Sequence, residues 1–295
     1  MSPLIDQRIL ILTVSSIFLA LGIGIAVGTA LPGEEVLLEE RNALIAQLEA
    51  EFTRIRGENT SLRAKVRDLE ARLKAAEDFQ RRVIESVAAD ALAGFELGVV
   101  EHGSGETTRG VVEDLRRWGA EVAWQVTLDP TALDERQAER WAELLRTEGS
   151  GLDELMARAT AYVLEGLLGE SRPALTGGAV TVEGRAAGVD AIVVLTEPSA
   201  DPAVLGAVLA AVSEAAGEGL PVIVGEVSSS DASVAQLGGK LGLAVVDNVD
   251  QPLGRFSLVA LLLGAEWGHY GVKPGARASL PWEFLQATLE SLTGR

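Results

Sequence analysis

The 295-residue chain has no cysteine, only two methionines and only two histidines. Without cysteine it can form no disulfide, thiolate metal site or cysteine nucleophile. The histidines, His102 and His269, are far apart, and no Gly-x-Ser-x-Gly turn accompanies them. No set of nucleophile, base and acid can therefore be named. We expect a protein that is not an enzyme and that holds no resident cofactor.

Positive charge is also scarce, since 25 Lys and Arg face 43 Asp and Glu for a formal net charge of −18. Residues 1–83 are nearly neutral, with 11 basic and 12 acidic side chains, so the remaining chain, with 14 and 31, carries almost all of the excess. A surface this acidic repels phosphate backbones. We therefore expect no nucleic-acid partner.

Charged residues are missing altogether from residues 9–31, which run for 23 residues. As a helix this segment is about 35 Å long, enough to cross a hydrocarbon core of about 30 Å. Arg8 and the terminal amine precede it and favour a cytoplasmic tail over residues 1–8. We therefore predict a single-pass protein of the cell membrane, in contact with lipid, whose C-terminal part lies outside the cytoplasm.

A cleaved signal peptide is the alternative, because small residues at Ala26-Val27-Gly28 are typical of a cleavage site. The apolar run, however, exceeds the usual 7–15 residues of a signal peptide. Ala20, Gly24 and Gly28 recur every four residues, a spacing that lets two membrane helices approach closely. This spacing favours a retained anchor that packs against a second helix.

Residues 34–88 carry a heptad repeat over six consecutive heptads, which is typical of a coiled coil. Asn59 interrupts the apolar seam, and a single buried Asn at such a position specifies register and favours two strands. The predicted dimer interface consists of Leu38, Ile45, Leu48, Phe52, Ile55, Asn59, Leu62, Val66, Leu69, Leu73, Ala76 and Val83.

Charges beside the seam favour a parallel pair. In a parallel dimer each g residue faces the e residue five positions later on the other chain. All four successive pairs are attractive: Glu51–Arg56, Glu58–Arg63, Lys65–Glu70 and Arg72–Glu77. The alternatives are a stalk that folds back on its own domain, or a heteromer with a neighbouring membrane protein.

Residues 94–295 alternate short apolar runs with helical stretches, which predicts a doubly wound, mainly parallel α/β domain. The long loop is expected at residues 169–188, which are rich in glycine. Five strands are predicted, at residues 96–101, 121–127, 191–196, 221–226 and 244–249. Helices are predicted at residues 107–118, 134–168 with a break near 149–151, 202–216, 232–241, 255–263 and 281–292.

Ligands of such sheets bind beyond the carboxyl ends of the strands. An acidic rim is predicted there that would suit a hard cation; the alternative is that these acids cap the following helices. His102-Gly103-Ser104-Gly105 either cradles an anion or forms an ordinary turn, since it lacks the full dinucleotide-binding motif. The rim residues are Glu101, His102, Glu197, Glu226, Asp247 and Asp250.

The order of membrane helix, coiled coil and α/β domain resembles the bacterial copper transporter family typified by mycobacterial copper transport protein B. The similarity covers nearly the whole chain. Its most specific part is Val-Val-Asp-Asn-Val-Asp at 245–250, then Gly254-Arg255, then Gly-His-Tyr-Gly-Val at 268–272. Residues 18–25 and Val27-Gly28 are also similar to that family. The resemblance implies copper homeostasis, by efflux or a channel, and a link to a neighbouring membrane protein that helps control envelope cleavage during cell separation.

Two functions are therefore open. One is copper transport, although copper(I) prefers Cys and Met sulfur, which this chain lacks apart from Met1 and Met156, so that copper enters only through the resemblance. The other is a dimeric, non-catalytic scaffold that presents the α/β domain to an envelope partner. The scarcity of copper ligands in the sequence favours the scaffold.

Overall fold

A computed structural model describes residues 7–30, 34–103, 105–147, 149–175, 177–198, 201–230 and 234–293. The chain divides into two compact units, Met1–Leu73 and Lys74–Arg295. Most of the predicted tail (residues 1–6) and the last residue of the predicted span, Leu31, lie outside the described residues.

The described part of the first unit consists of two helices, the second of which continues into the second unit. Helix α1 spans Gln7–Ala30, and its residues 8–29 are long and apolar enough, by length and composition, to cross a membrane. Helix α2 spans Glu34–Ala88 without interruption, and its side chains are exposed from residue 38 to residue 76. The helix agrees with the heptad pattern, but pairing requires a second chain and stays a prediction.

The second unit contains one seven-stranded sheet in the order β3-β2-β1-β4-β5-β6-β7. Every neighbouring pair is parallel except β2 and β3. The strands are β1 Glu96–His102, β2 Glu121–Leu128, β3 Val180–Gly184, β4 Ala191–Thr196, β5 Val222–Glu226, β6 Ala244–Val246 and β7 His269–Tyr270. The helices are α3 Glu106–Arg117, α4 Glu135–Leu145, α5 Leu152–Leu168, α6 Pro202–Ala216, α7 Val234–Leu241, α8 Pro252–Leu262 and α9 Trp282–Thr293. The prediction of an α/β domain on a mostly parallel sheet is confirmed.

Two apolar clusters form the core of this unit. Successive residues of β4 alternate between them, with Ile192 in one cluster and Val193 in the other. Helices α5 and α6 contribute to the first cluster, and α3 and α8 to the second. The end of α2 joins the second cluster, because Ile84 and Ala88 are buried there.

Three sequence predictions need correction. The predicted loop at 169–188 contains strand β3, an edge strand whose exposed Thr181 and glycine-rich flanks hide its pattern. The predicted strand at 244–249 ends at Val246, because the side chain of Asp247 turns to hydrogen-bond the loop after β7. Strand β7, only two residues long, escaped prediction.

A close contact between neighbouring strands holds the centre of the sheet. The indole of Trp124 on β2 is fully buried, and its Nε1 donates to the carbonyl of Ala187 at 3.1 Å. The ring lies over Gly98 on β1, where a Cβ atom would overlap it. A glycine is therefore required at this position, beside the register shift between Leu97 and Gly98.

The first prediction is that Gly98→Ala lowers the free energy of unfolding by about 1–3 kcal/mol, the usual cost of overpacking a core. Urea unfolding followed by tryptophan fluorescence measures this. Gly219→Ala is the matched control, because a Cβ there meets open space. Equal stability of the two variants would contradict the packing argument.

Candidate functional site

The six predicted rim residues all lie at the carboxyl ends of strands, but the structure places them in separate environments. Glu101 and His102 end β1, Glu197 follows β4, and Glu226 ends β5. Among the described residues no group of three or more His, Asp or Glu side chains is placed to hold a metal ion. The structure therefore divides the predicted rim into separate groups of residues.

The most strongly bonded group surrounds the fully buried carboxylate of Asp247, just after β6. Its Oδ1 accepts the amide of Val272 at 2.7 Å, and its Oδ2 accepts the amide of Lys273 at 2.9 Å. The Nε2 of His269 lies 2.6 Å from the same Oδ2. Burial by itself would raise the pKa of Asp247, but the hydrogen bonds from His269 and the two amides hold that pKa below its usual value.

Lys273 links this group to β5. Its Nζ lies 3.0 Å from Oε2 of the buried Glu226 and donates to the carbonyl of Ser230 at 2.8 Å. Burial raises the pKa of Glu226, and Lys273 opposes that shift without cancelling it. Sequence reasoning missed Lys273 because it searched for acids at strand ends, although a cation follows the Gly-His-Tyr-Gly-Val motif directly.

Two positions near these residues require glycine because another group lies too close for a side chain. Gly271 has a φ of +143°, and a Cβ atom there would overlap Oδ1 of Asp247. At Gly254, near the start of α8, a Cβ atom would overlap the carbonyl of Asn248. The neighbouring Arg255 donates through Nε to the carbonyl of Val249 at 2.9 Å and forms an ion pair with Asp114 of α3. The residues that carry the family resemblance thus form a connected structural network.

Asp250 bonds to a different segment. Its Oδ1 accepts the amide of Ser228 at 2.7 Å, and its Oδ2 accepts the hydroxyl of Ser228 at 2.6 Å. Both carboxylate oxygens of Asp250 therefore hold the turn after β5.

At the same edge of the sheet, beside β1 and β4, His102 and Glu197 line a cleft of ≈ 420 Å³. Glu101 is buried beside it, where Gln125 donates to its Oε2 at 3.0 Å. Burial raises the pKa of Glu101, with the charge of Glu197 adding to the shift. Asp129 and Asp201, which the sequence analysis did not select, also line this cleft: Asp129 caps a short 3-10 helix, Pro130–Ala132, and Asp201 caps α6.

A model of the family described as "Copper transport outer membrane protein, MctB" matches residues 4–281, nearly the whole chain. The chain belongs to the MctB family. The resemblance seen in the sequence is thereby confirmed. No curated protein matches the chain.

The described donors of this MctB family chain do not fit a protein-built copper site. The chain has no cysteine, and Met156 is fully buried in the apolar core. His269 already contacts Asp247, and His102 has no second histidine beside it to complete a ligand set among the described residues. Copper(I) prefers sulfur ligands, so we assign copper to none of these side chains.

The second prediction concerns Asp247→Asn and pH. Because the folded pKa of Asp247 is depressed, its contribution to stability is present above the unfolded value of about 3.9 and is lost as the pH falls through the folded value. The variant should lose about 3 kcal/mol near neutral pH and show a shallower decline in acid. Urea unfolding over the acid range measures both effects.

Asp153→Asn, on an exposed side chain, is the control that makes the same change of charge. If the two variants showed the same acid profile, Asp247 would not be the group responsible.

Proposed function

We propose that this MctB family chain is a membrane-anchored, non-catalytic scaffold that works as a parallel dimer and presents its α/β domain to an envelope partner. The link to control of cell separation comes from the family resemblance. We take the domain to be doubly wound, because helices contribute to core clusters on both faces of its sheet.

The observation that carries the proposal is the row of large apolar side chains along α2. In the single chain, Phe52 is 61% exposed and Leu69 is 63% exposed, and the other large apolar seam residues from Leu38 to Val83 are exposed as well. A contiguous apolar surface of this length is unfavourable in water and is typical of an interaction face. The heptad spacing of the row matches a second α-helix.

Charge supports a second copy of the chain as the occupant. In the single chain Arg54 bonds to Glu51 and Glu58 along one helix face. Exposed pairs of this kind contribute little to stability. A parallel partner would offer Arg56 to Glu51 and Arg63 to Glu58, so the charges favour alignment in register more than affinity.

The seam ends where the domain core begins. Val83 is 44% exposed, whereas the next residue, Ile84, is buried in the second core cluster. Helix α2 therefore changes from exposed apolar positions to positions that pack in the domain core. This change supports a stalk that pairs with a second chain along its length and packs against its own domain at its end.

Helix α1 supports anchoring in a membrane. It can span a bilayer by length and composition, and we propose that its N-terminus is cytoplasmic and that the α/β domain lies outside. A Cβ atom added at Gly24 or Gly28 would meet no other atom within 4 Å, so this stripe with Ala20 leaves room for a second helix.

The family description favours copper transport as a second function. A single apolar span has no polar face with which to line an aqueous pore, so we propose that any role in copper homeostasis runs through a partner. Copper titration of the purified chain tests this. Saturable binding at micromolar copper would favour direct transport over the scaffold.

The third prediction uses the absence of native cysteine. Leu48→Cys and Leu69→Cys, made one at a time, should each form an interchain disulfide on mild oxidation, because matching d positions meet across a parallel seam. Non-reducing electrophoresis of the membrane-embedded chain measures the dimer fraction. The two sites lie about 31 Å apart along the helix, so an antiparallel pair could close at most one of them.

Ala50→Cys and Ala71→Cys are the matched controls, since each lies two residues away on the outward face. Equal crosslinking at seam and outward positions, or none at either seam site, would sink the parallel dimer.

The fourth prediction separates pairing from domain folding. Ile55→Glu together with Leu62→Glu should abolish self-crosslinking and the capture of an envelope partner from native membranes, because buried like charges cannot pair. The α/β domain should keep its thermal transition. Ala50→Glu with Ala71→Glu should leave capture intact; full capture by the seam variant would count against the scaffold.

A further inference from the structure

The cleft beside His102 lies where the order of the strands in the sheet reverses. From β1 the chain proceeds to β2 and β3 on one side and to β4, β5, β6 and β7 on the other. Strands β1 and β4 are neighbours, and their carboxyl ends border the cleft through His102 and Glu197. Open α/β sheets bind ligands at this topological position, and the volume of ≈ 420 Å³ suits a small molecule.

The charged side chains that line the cleft are all acidic. Asp129, Glu197 and Asp201 line it, and no Lys or Arg is among its lining residues in the described part of the chain. Asp201 accepts the amide of Ala203 at 2.8 Å at the start of α6, and Asp129 accepts the amide of Thr131 at 3.0 Å. These bonds hold two of the three carboxylates in place at the edge of the cleft.

Two buried acceptors in the cleft lack partners. His102 is only 4% exposed, and its Nε2 has no hydrogen-bond partner among the described residues. Burial lowers the pKa of His102 and favours the neutral ring; with the proton on Nδ1, Nε2 is an acceptor. Oε1 of Glu197 is also buried, with no hydrogen-bond partner in the described part of the chain. A buried acceptor without a hydrogen bond destabilises the folded protein, and a ligand that donates a hydrogen bond to it would remove that cost.

Glycines bring the loop before α3 against Glu197. A Cβ atom at Gly105 would overlap Oε1 of Glu197, and Gly103 has a φ of +91°. The apolar side chains of Leu152, Val204 and Pro130 complete the lining. A bare ion would leave these apolar groups and most of the volume unused.

From this combination we propose that the cleft binds a small organic cation, an ammonium group on a short aliphatic stem. The ammonium donates to Glu197 and His102, and the stem packs against Leu152 and Val204. This inference is independent of the stalk and of the proposed scaffold.

The fifth prediction is tested by calorimetric titration of the full chain in detergent with putrescine, at about 0.15 M salt to screen distant charges. Putrescine should bind saturably, whereas butane-1,4-diol, of similar shape without charge, should not bind. Glu197→Gln should weaken putrescine binding by roughly tenfold or more, since it removes a charged acceptor.

Glu218→Gln is the matched control, because it makes the same charge change on an exposed side chain after α6. A second variant, Leu152→Trp, fills the cleft from a half-exposed position without changing charge and should also abolish binding. Circular dichroism checks that each variant is folded.

The proposal would be overturned if putrescine showed no saturable binding. It would also be overturned if Glu197→Gln and Glu218→Gln weakened binding equally, because net charge alone would then explain the effect. Unchanged binding in Leu152→Trp would overturn it too, because the ligand would then bind outside the cleft. Binding of copper(II) chloride that depends on Glu197, without binding of putrescine, would replace the organic cation with a metal ion.

Discussion

The exposed apolar stripe of α2 is the constraint on which the proposed assembly depends. A helix of 55 residues gains little from propensity alone, and most helical stability in proteins comes from packing an apolar face. In the single chain the large apolar side chains of that face, from Leu38 to Val83, are exposed. The proposed pairing would remove this face from water and would explain the position of Asn59, since one polar residue in a seam lowers stability but specifies a unique alignment.

Within the α/β domain the corresponding constraint is the buried carboxylate of Asp247. An unpaired charge at that depth would be strongly destabilising, so its bonds to His269 and to two main-chain amides tie the end of β6 to the loop after β7. Gly271 is required because any side chain there would displace the carboxylate. The motif that marks the family therefore has a structural explanation that involves no copper.

The sequence predicted those features that depend on periodicity and missed those that depend on tertiary contact. The continuous apolar run at Ala191–Thr196 predicted β4 correctly because both faces of that strand are covered. Strand β3 was hidden because it forms only by pairing with β2 at an edge. The sequence placed Glu101, His102 and Glu197 at strand ends, where the structure has them, but it could not show that Asp247 contacts His269 or that Nε2 of His102 has no partner among the described residues.

The seam as far as Leu73 belongs to the first compact unit and the cleft belongs to the second. Changes at sites that share no partners are usually additive, so we expect a change at the seam to act on pairing and a change at Glu197 to act on ligand binding. The separation of the rim residues supports the same conclusion, because Asp247 and Asp250 are hydrogen-bonded and Glu226 is ion-paired with Lys273, whereas the carboxylate of Glu197 faces the cleft beside β1 and β4. A scaffold whose recognition domain responds to a small cation requires no enzyme chemistry and no copper ligand, which is consistent with a chain that has no cysteine and two separated histidines.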